Sequence, residues 1–191
     1  SDPYLKYLTE DAYWFRLSDY EDYLLRFHKE NPEFVIPDFR RNEMLNRIHE
    51  GLEDLCISRS TTDWGISLPW DDEHVFYVWA EALLTYLTGS GFDIQAGLEA
   101  VERGGDPLDP QPVDNFWPCD MHIMAKDIPW FHAIIWPALL ESAGLPAPEQ
   151  MLVHGYWNFE GTKMSKSKGN VVHPKDAAAL VGADGVRYFC A

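Results

Sequence analysis

Two lysines three residues apart, Lys163 and Lys166, stand in the run Lys163-Met164-Ser165-Lys166-Ser167, followed by Lys168-Gly169-Asn170. Small hydroxyl side chains lie among them, a flexible Gly-Asn pair follows, and an apolar, strand-like run over residues 151–159 leads in. A loop of this kind can close over a polyphosphate and open again. The lysine ammonium is a mobile point charge on a long stem. Charge that develops on a departing pyrophosphate needs placed cations more than covalent chemistry. A solvated basic turn is the plainer reading of a Lys-Ser cluster, but the complete five-residue string is far more specific than a cluster.

Aromatic rings and a histidine form a second set. Trp79 and Tyr86 are seven residues apart, two helical turns, so a helix puts them on one face with Ala82 and Leu83 between. Core packing accounts for such a face without further assumption. Asp127, Phe131 and Ile135 recur every four residues, and His132 lies one step round. Asp127 falls at the N-terminal end of that helix, where unpaired amides favour a carboxylate. His154-Gly155 closes an apolar strand, and glycine there lets a ligand approach the backbone; a strand-end turn explains the same pair.

Taken together, these residues resemble the bacterial-type methionyl-tRNA synthetases, a branch of the class I aminoacyl-tRNA synthetases. KMSKS is the signature loop of that class. The likeness continues, in the family's order, through Asp63-Trp64-Gly65-Ile66, Phe76-Tyr77-Val78-Trp79 with Tyr86, Lys126-Asp127-Ile128 with Phe131-His132 and Trp136-Pro137, and His154-Gly155. The resemblance implies a methionine pocket of Trp79, Ala82, Tyr86, Ile128, Phe131 and His132, with His132 and the Tyr86 hydroxyl able to meet the sulfur. A thioether is polarizable and packs well against rings. For ATP, the resemblance implies Asp127 near the ribose, His154, Gly155 and Trp157 near the adenosine, and Lys163, Met164 and Lys166 from the loop. Lys163 and Lys166 are then the catalytic pair at the leaving pyrophosphate. ATP with Mg²⁺, methionine and tRNA are the implied substrates and partners.

The chain also departs from the family's pattern. Ala125 stands where the family usually has glycine before Lys-Asp-Ile, and its methyl crowds a nucleotide there. None of the seven histidines stands in the His-x-Gly-His arrangement, the second signature of the class. The methionine-contacting strand before that signature, the cysteine-rich insertion and the helical anticodon-binding domain are not recognisable either. The expectation is therefore the second half of a catalytic domain. Residues 1–54 form the helical end of the connective insertion, and 55–191 form the half that carries the KMSKS loop. A missing N-terminal half would be its partner, and the isolated chain would be inactive. The competing reading is a non-catalytic binding or assembly module that retains the half-fold.

These residues must be positioned by a chain of 191 residues, 46% hydrophobic, which is enough for one domain with a substantial core. Mixed three- and four-residue apolar spacing predicts helices over 13–29, 42–53, 75–87 and 128–142, with two short ones over 175–180 and 185–190. Strands are expected over 55–59, 116–125 and 151–159. Residues 37–41 read as a turn and cap region, and the Pro- and Gly-rich stretch 104–113 as the clearest loop. Strands alternating with helices point to an α/β fold, half of a doubly wound, Rossmann-like nucleotide-binding sheet behind a small helical segment. A formal charge of −16 weighs against a general nucleic-acid surface, so any RNA contact is local or supplied by other parts. Cys56, Cys119 and Cys190 are widely spaced with no CxxC pair, so neither a zinc site nor a disulfide framework is encoded. No apolar run approaches the roughly 20 residues of a membrane span, and the first residues are not a signal peptide, which makes the cytoplasm the default location.

Overall fold

The computed structural model describes residues 9–62, 64–159, 161–165 and 168–190. They pack as two units, 1–153 and 154–191. In chain order the strands are β1 (Trp14–Phe15), β2 (Val35–Ile36), β3 (Leu55–Cys56), β4 (Ser58–Arg59), β5 (Ser67–Leu68), β6 (Asp71–Phe76), β7 (Met121–Ala125), β8 (Gln150–His154), β9 (Asn158–Phe159) and β10 (Thr162–Lys163). The helices are α1 (Glu21–Glu30), α2 (Asp38–His49), α3 (Val78–Glu81), α4 (Thr85–Gly89), α5 (Ile94–Glu102), α6 (Trp136–Ser142), α7 (Pro174–Val181) and α8 (Ala183–Cys190). Among the described residues no helix is long and apolar enough to cross a membrane.

The first unit centres on the sheet β2-β8-β7, in which β2 and β8 run parallel with Val35 opposite Met151. Parallel pairing flanked by helices makes the architecture α/β. α1 has Glu21 and Asp22 in its first turn and Lys29 in its last, the charge order a helix dipole favours. It turns Leu24 and His28 inward, and α2 does the same with Met44 and Ile48. α1 packs on both α2 and α6. Between them lie Leu17, Leu24, Val35, Ile134, Ile135 and Trp136, all essentially without solvent contact. α2 begins at Asp38 with Pro37 as its N-cap, so of residues 37–41, expected as a turn and cap region, Pro37 caps and 38–41 already belong to the helix.

The helix expected over 128–142 starts at 129 and carries a π-turn, Phe131–Ile135, before continuing as α6. Trp136 N–H bonds the carbonyl of Phe131, five residues back. The wider turn changes which side chains face inward. Buried His28 donates from Nε2 to the Ala133 carbonyl at 2.9 Å, tying α1 to this turn.

A second, antiparallel sheet, β4-β6-β5, pairs Ser58 with Phe76 and Ser67 with Val75. It corrects the expected helix over 75–87. Val75 and Phe76 are strand residues because β4 and β5 offer backbone partners, and β-branched or aromatic side chains suit a half-buried sheet face. The helical run begins only at Val78 and continues through α3, a tight turn at Ala82–Leu84 and α4. The strand expected over 55–59 divides, with β3 pairing β1 and β4 pairing β6. Of the strand expected over 116–125, only Met121–Ala125 is extended in a sheet.

In the second unit β9 and β10 form a hairpin, Thr162 opposite Phe159, and α7 packs against α8. The single strand expected over 151–159 is two: β8 ends at His154, and β9 takes up the hairpin at Asn158.

Candidate functional site

The helical run from Val78 and the π-turn meet through four rings. The Trp79 indole stacks on Phe131, with centroids 4.5 Å apart and planes at 20°. The Tyr86 hydroxyl lies 2.8 Å from His132 Nε2, and His132 Nδ1 lies 3.0 Å from the Ile128 carbonyl. A carbonyl only accepts, so Nδ1 carries the ring proton and Nε2 is bare. The Tyr86 hydroxyl must therefore donate to His132, which leaves its own oxygen lone pairs available to a ligand. His132 is buried, whereas Trp79 is 44% and Tyr86 37% exposed. The result is a wall of accessible rings whose polar atom is set from beneath by a buried imidazole.

Of the six residues expected around methionine, the structure joins Trp79 to Phe131 and Tyr86 to His132, and Ile128 supplies the carbonyl that selects the tautomer. Ala82 lies half-buried between Trp79 and Tyr86 on the same helical run. Helical spacing does not reach His122, whose ring sits 4.2 Å from that of Tyr86, and gives no place to Trp136, 6.3 Å from the same ring. A signal for His122 exists: along β7, His122 and Met124 alternate inward against exposed Met121 and Ile123. A cavity of about 280 Å³ opens beside this cluster, lined by Tyr86, Phe116, Trp117, Cys119 and His122 among others.

The cluster is neutral near pH 7. Burial, then the neighbouring His132, pushes the His122 pKa down to about 4. Burial lowers His132, opposed in part by its bond to the Ile128 carbonyl, and burial likewise lowers His28. Burial first, then Cys119, raises Tyr86, so its phenol keeps the proton it donates. For such depressed histidines the unfolded chain takes up protons below about 6.5 that the folded protein excludes. Stability is then complete above about pH 6.5 and lost as pH falls toward about 4, the window His122 sets. The melting temperature is expected to be lower at pH 5 than at pH 7.5, and His122→Phe should shrink that difference. A melt insensitive to pH over this range would contradict the neutral cluster.

Asp127 is exposed in the turn between β7 and the helix that begins at 129. With Lys126, Arg47, Glu50 and Trp130 it borders a cavity of about 370 Å³. The Arg47 guanidinium lies 5.3 Å over the Trp130 ring there. Ala125 ends β7 half-buried.

In the second unit Lys163 closes β10, with its ammonium 3.8 Å above the Tyr156 ring centroid. Met164 is half-buried and, with Trp157, lines an apolar cavity of about 930 Å³. Trp157 also meets Phe189 edge-on at 5.5 Å. His154 and Gly155 are exposed, and a Cβ at Gly155 would meet no atom within 4 Å, so the backbone there is open on that side. Gly169 has φ +66°, the left-handed turn that only glycine adopts freely, directly after Lys168. Asp63, Lys166 and Ser167 lie outside the described residues.

The sequence model of a family described as tRNA synthetases class I (M) matches residues 2–191. Methionine–tRNA ligase of Caldanaerobacter subterraneus subsp. tengcongensis is 47% identical over 182 residues, 95% of this chain and 26% of that protein. That of Rhizobium meliloti is 45% identical over 185 residues, 97% of this chain and 33% of the relative. Among solved structures, Mycobacterium tuberculosis methionyl-tRNA synthetase bound by methionyl-adenylate aligns with TM-score 0.79 at 42% identity, covering 96% of this chain and 34% of that one. The chain thus spans about a quarter to a third of the relatives it matches. The likeness of fold identifies its sheet as half of a doubly wound, Rossmann-like nucleotide-binding domain.

Proposed function

Because the chain belongs to the family of class I tRNA synthetases (M), we propose that it is the portion of a methionine–tRNA ligase that holds the methionine side chain and supplies the KMSKS loop. The observation that carries this reading is the ring wall set by the Tyr86–His132 hydrogen bond. Such a surface offers polarizable faces and a fixed hydroxyl to a thioether, and it presents no charge that would favour a polar competitor. The solved relative named above as bound by methionyl-adenylate supports the same assignment.

In this reading the methionine carboxylate attacks the α-phosphate of ATP and pyrophosphate leaves. The adenylate then esterifies the terminal adenosine of tRNA. Trp79, Ala82, Tyr86, Ile128, Phe131 and His132 hold the side chain. Asp127 takes the ribose, and His154, Gly155, Trp157 and Met164 take the rest of the nucleoside and its approach. Lys163 and Lys166 act on the pyrophosphate, Lys166 being assigned from sequence alone. Mg²⁺ enters on the nucleotide phosphates as part of the substrate. No side chain forms a covalent bond to substrate, and the reaction is assigned to the cytoplasm.

Residues 1–54 are assigned to the helical end of the connective insertion and 55–191 to the catalytic half. α1 and α2 share a core with α6, so that boundary divides the chain by origin and not by packing. Because the relatives are three to four times longer, the catalytic unit requires further parts of the fold, among them the half that carries His-x-Gly-His. The test is methionine-dependent ATP–pyrophosphate exchange by the product of the whole open reading frame around this sequence, hereafter the full-length protein. Exchange is expected there and only background from the 191-residue chain alone. A full-length protein that lacks exchange would sink the ligase reading and favour a non-catalytic assembly module.

A further inference from the structure

Between Thr162 and Asn170 the loop is not held by its own backbone alone. Ser165 N–H donates to Asn170 Oδ1 at 2.9 Å. On its other side, Asn170 Nδ2 donates to Thr162 Oγ1 at 3.2 Å and to the Lys163 carbonyl at 3.3 Å. The orientation of the amide is decided by its partners, since an N–H can only donate and a carbonyl can only accept. Thr162 Oγ1 passes its own proton to the Phe159 carbonyl at 3.1 Å, which ties the same bonds into the β9–β10 hairpin. Lys168 N–H reaches the Ser165 carbonyl at 3.2 Å and its hydroxyl at 3.3 Å. Ser165 and Lys168 bracket Lys166 in the chain. One half-buried side chain therefore joins the strand that carries Lys163 to the residue that precedes Lys166. Read from sequence, Gly169-Asn170 is only a flexible exit.

We propose that Asn170 is the positioning residue of the KMSKS loop. Its amide clamps Thr162, Lys163 and Ser165 so that Lys163 is presented to the departing pyrophosphate. Asn170 touches no reacting atom. Its effect passes through the backbone at Lys163 and Ser165, and it should therefore appear where Lys163 acts. The inference rests on the ligase reading for its kinetic consequence, though not for the clamp itself.

The experiment compares the full-length protein with its Asn170→Ala and Asn170→Asp variants. Asn170→Asp keeps an acceptor for Ser165 N–H but sets a carboxylate oxygen against the Lys163 carbonyl, so both variants break the clamp. In pyrophosphate exchange, kcat is expected to fall about tenfold in both, for the loss of two or three hydrogen bonds. The KM for methionine and the melting temperature should stay at the wild-type values. A purely structural role would lower the melting temperature and move both kinetic constants together, and that result overturns the proposal. So does an unchanged kcat. Hydrogen exchange by mass spectrometry on peptides covering 161–170 supplies a readout independent of activity. Slower exchange in wild type than in Asn170→Ala is expected, and equal exchange overturns the clamp. If the wild type gives no pyrophosphate exchange, the ligase reading fails while the peptide comparison still decides Asn170.

Discussion

Replacing Lys163 with alanine in the full-length protein is expected to slow methionine-dependent pyrophosphate exchange by about 10²–10³-fold, the usual loss when a donor aimed at developing charge is removed. The Lys163 ammonium lies 3.8 Å over the Tyr156 ring. On the proposed ligase reading the contact that matters forms as the bond to the α-phosphate breaks, so the loss should fall on kcat and leave the KM for methionine near wild type. Lys166→Ala is expected to behave alike, on the sequence argument. Removing Lys163 should leave the melting temperature unmoved, because its side chain is exposed. An unchanged rate in Lys163→Ala would take the loop out of the mechanism.

Trp79→Ala separates recognition of the side chain from phosphate chemistry. Trp79 is 44% exposed and stacks face to face on Phe131, so its removal opens the ring wall at an accessible edge without emptying the centre of the core. Contact with methionine should weaken, lowering kcat/KM, while ATP binding stays nearly intact. Preference should move toward a thioether longer by one methylene, by about 1–3 kcal/mol or roughly 10- to 200-fold, the range an apolar slot can discriminate. Adenylation of methionine and of the longer analogue, measured beside the melting temperature, decides between two roles. The lost ring pair is worth about 0.5–1.5 kcal/mol beyond its area, so a modest fall in the melt accompanies either. A fall in the melt with the preference ratio unmoved would mean that Trp79 is packing and nothing more.

The same residues show where local spacing suffices and where it does not. The seven-residue interval between Trp79 and Tyr86 anticipates that both point one way, and both meet the π-turn, at Phe131 and His132. Yet the helix expected over 75–87 loses its first residues to β6, because the apolar residues Val75 and Phe76 fit either periodicity until a strand partner is present. His122 escapes the helical spacing for a related reason. Its signal is a two-residue alternation in a short strand, legible only once the start of β7 is known.

What the sequence determines by itself is what neighbouring residues encode: the lysine pair and its glycine turn, the alternation of helices and strands that makes an α/β fold, and the residues that carry the family likeness. Tertiary structure alone decides the directions of the bonds. Tyr86 donates to His132 across 46 residues, and it must donate because the Ile128 carbonyl has claimed the other ring nitrogen. His28 reaches Ala133 across 105 residues, and only the π-turn and the packing of α1 bring them together. Asn170 stands in sequence as the second half of a flexible pair and becomes a clamp when the hairpin presents Thr162 and Lys163 to its amide. A side chain's identity limits which hydrogen bonds it can make. Which of them it does make depends on groups that folding brings from elsewhere in the chain, and no local pattern records them.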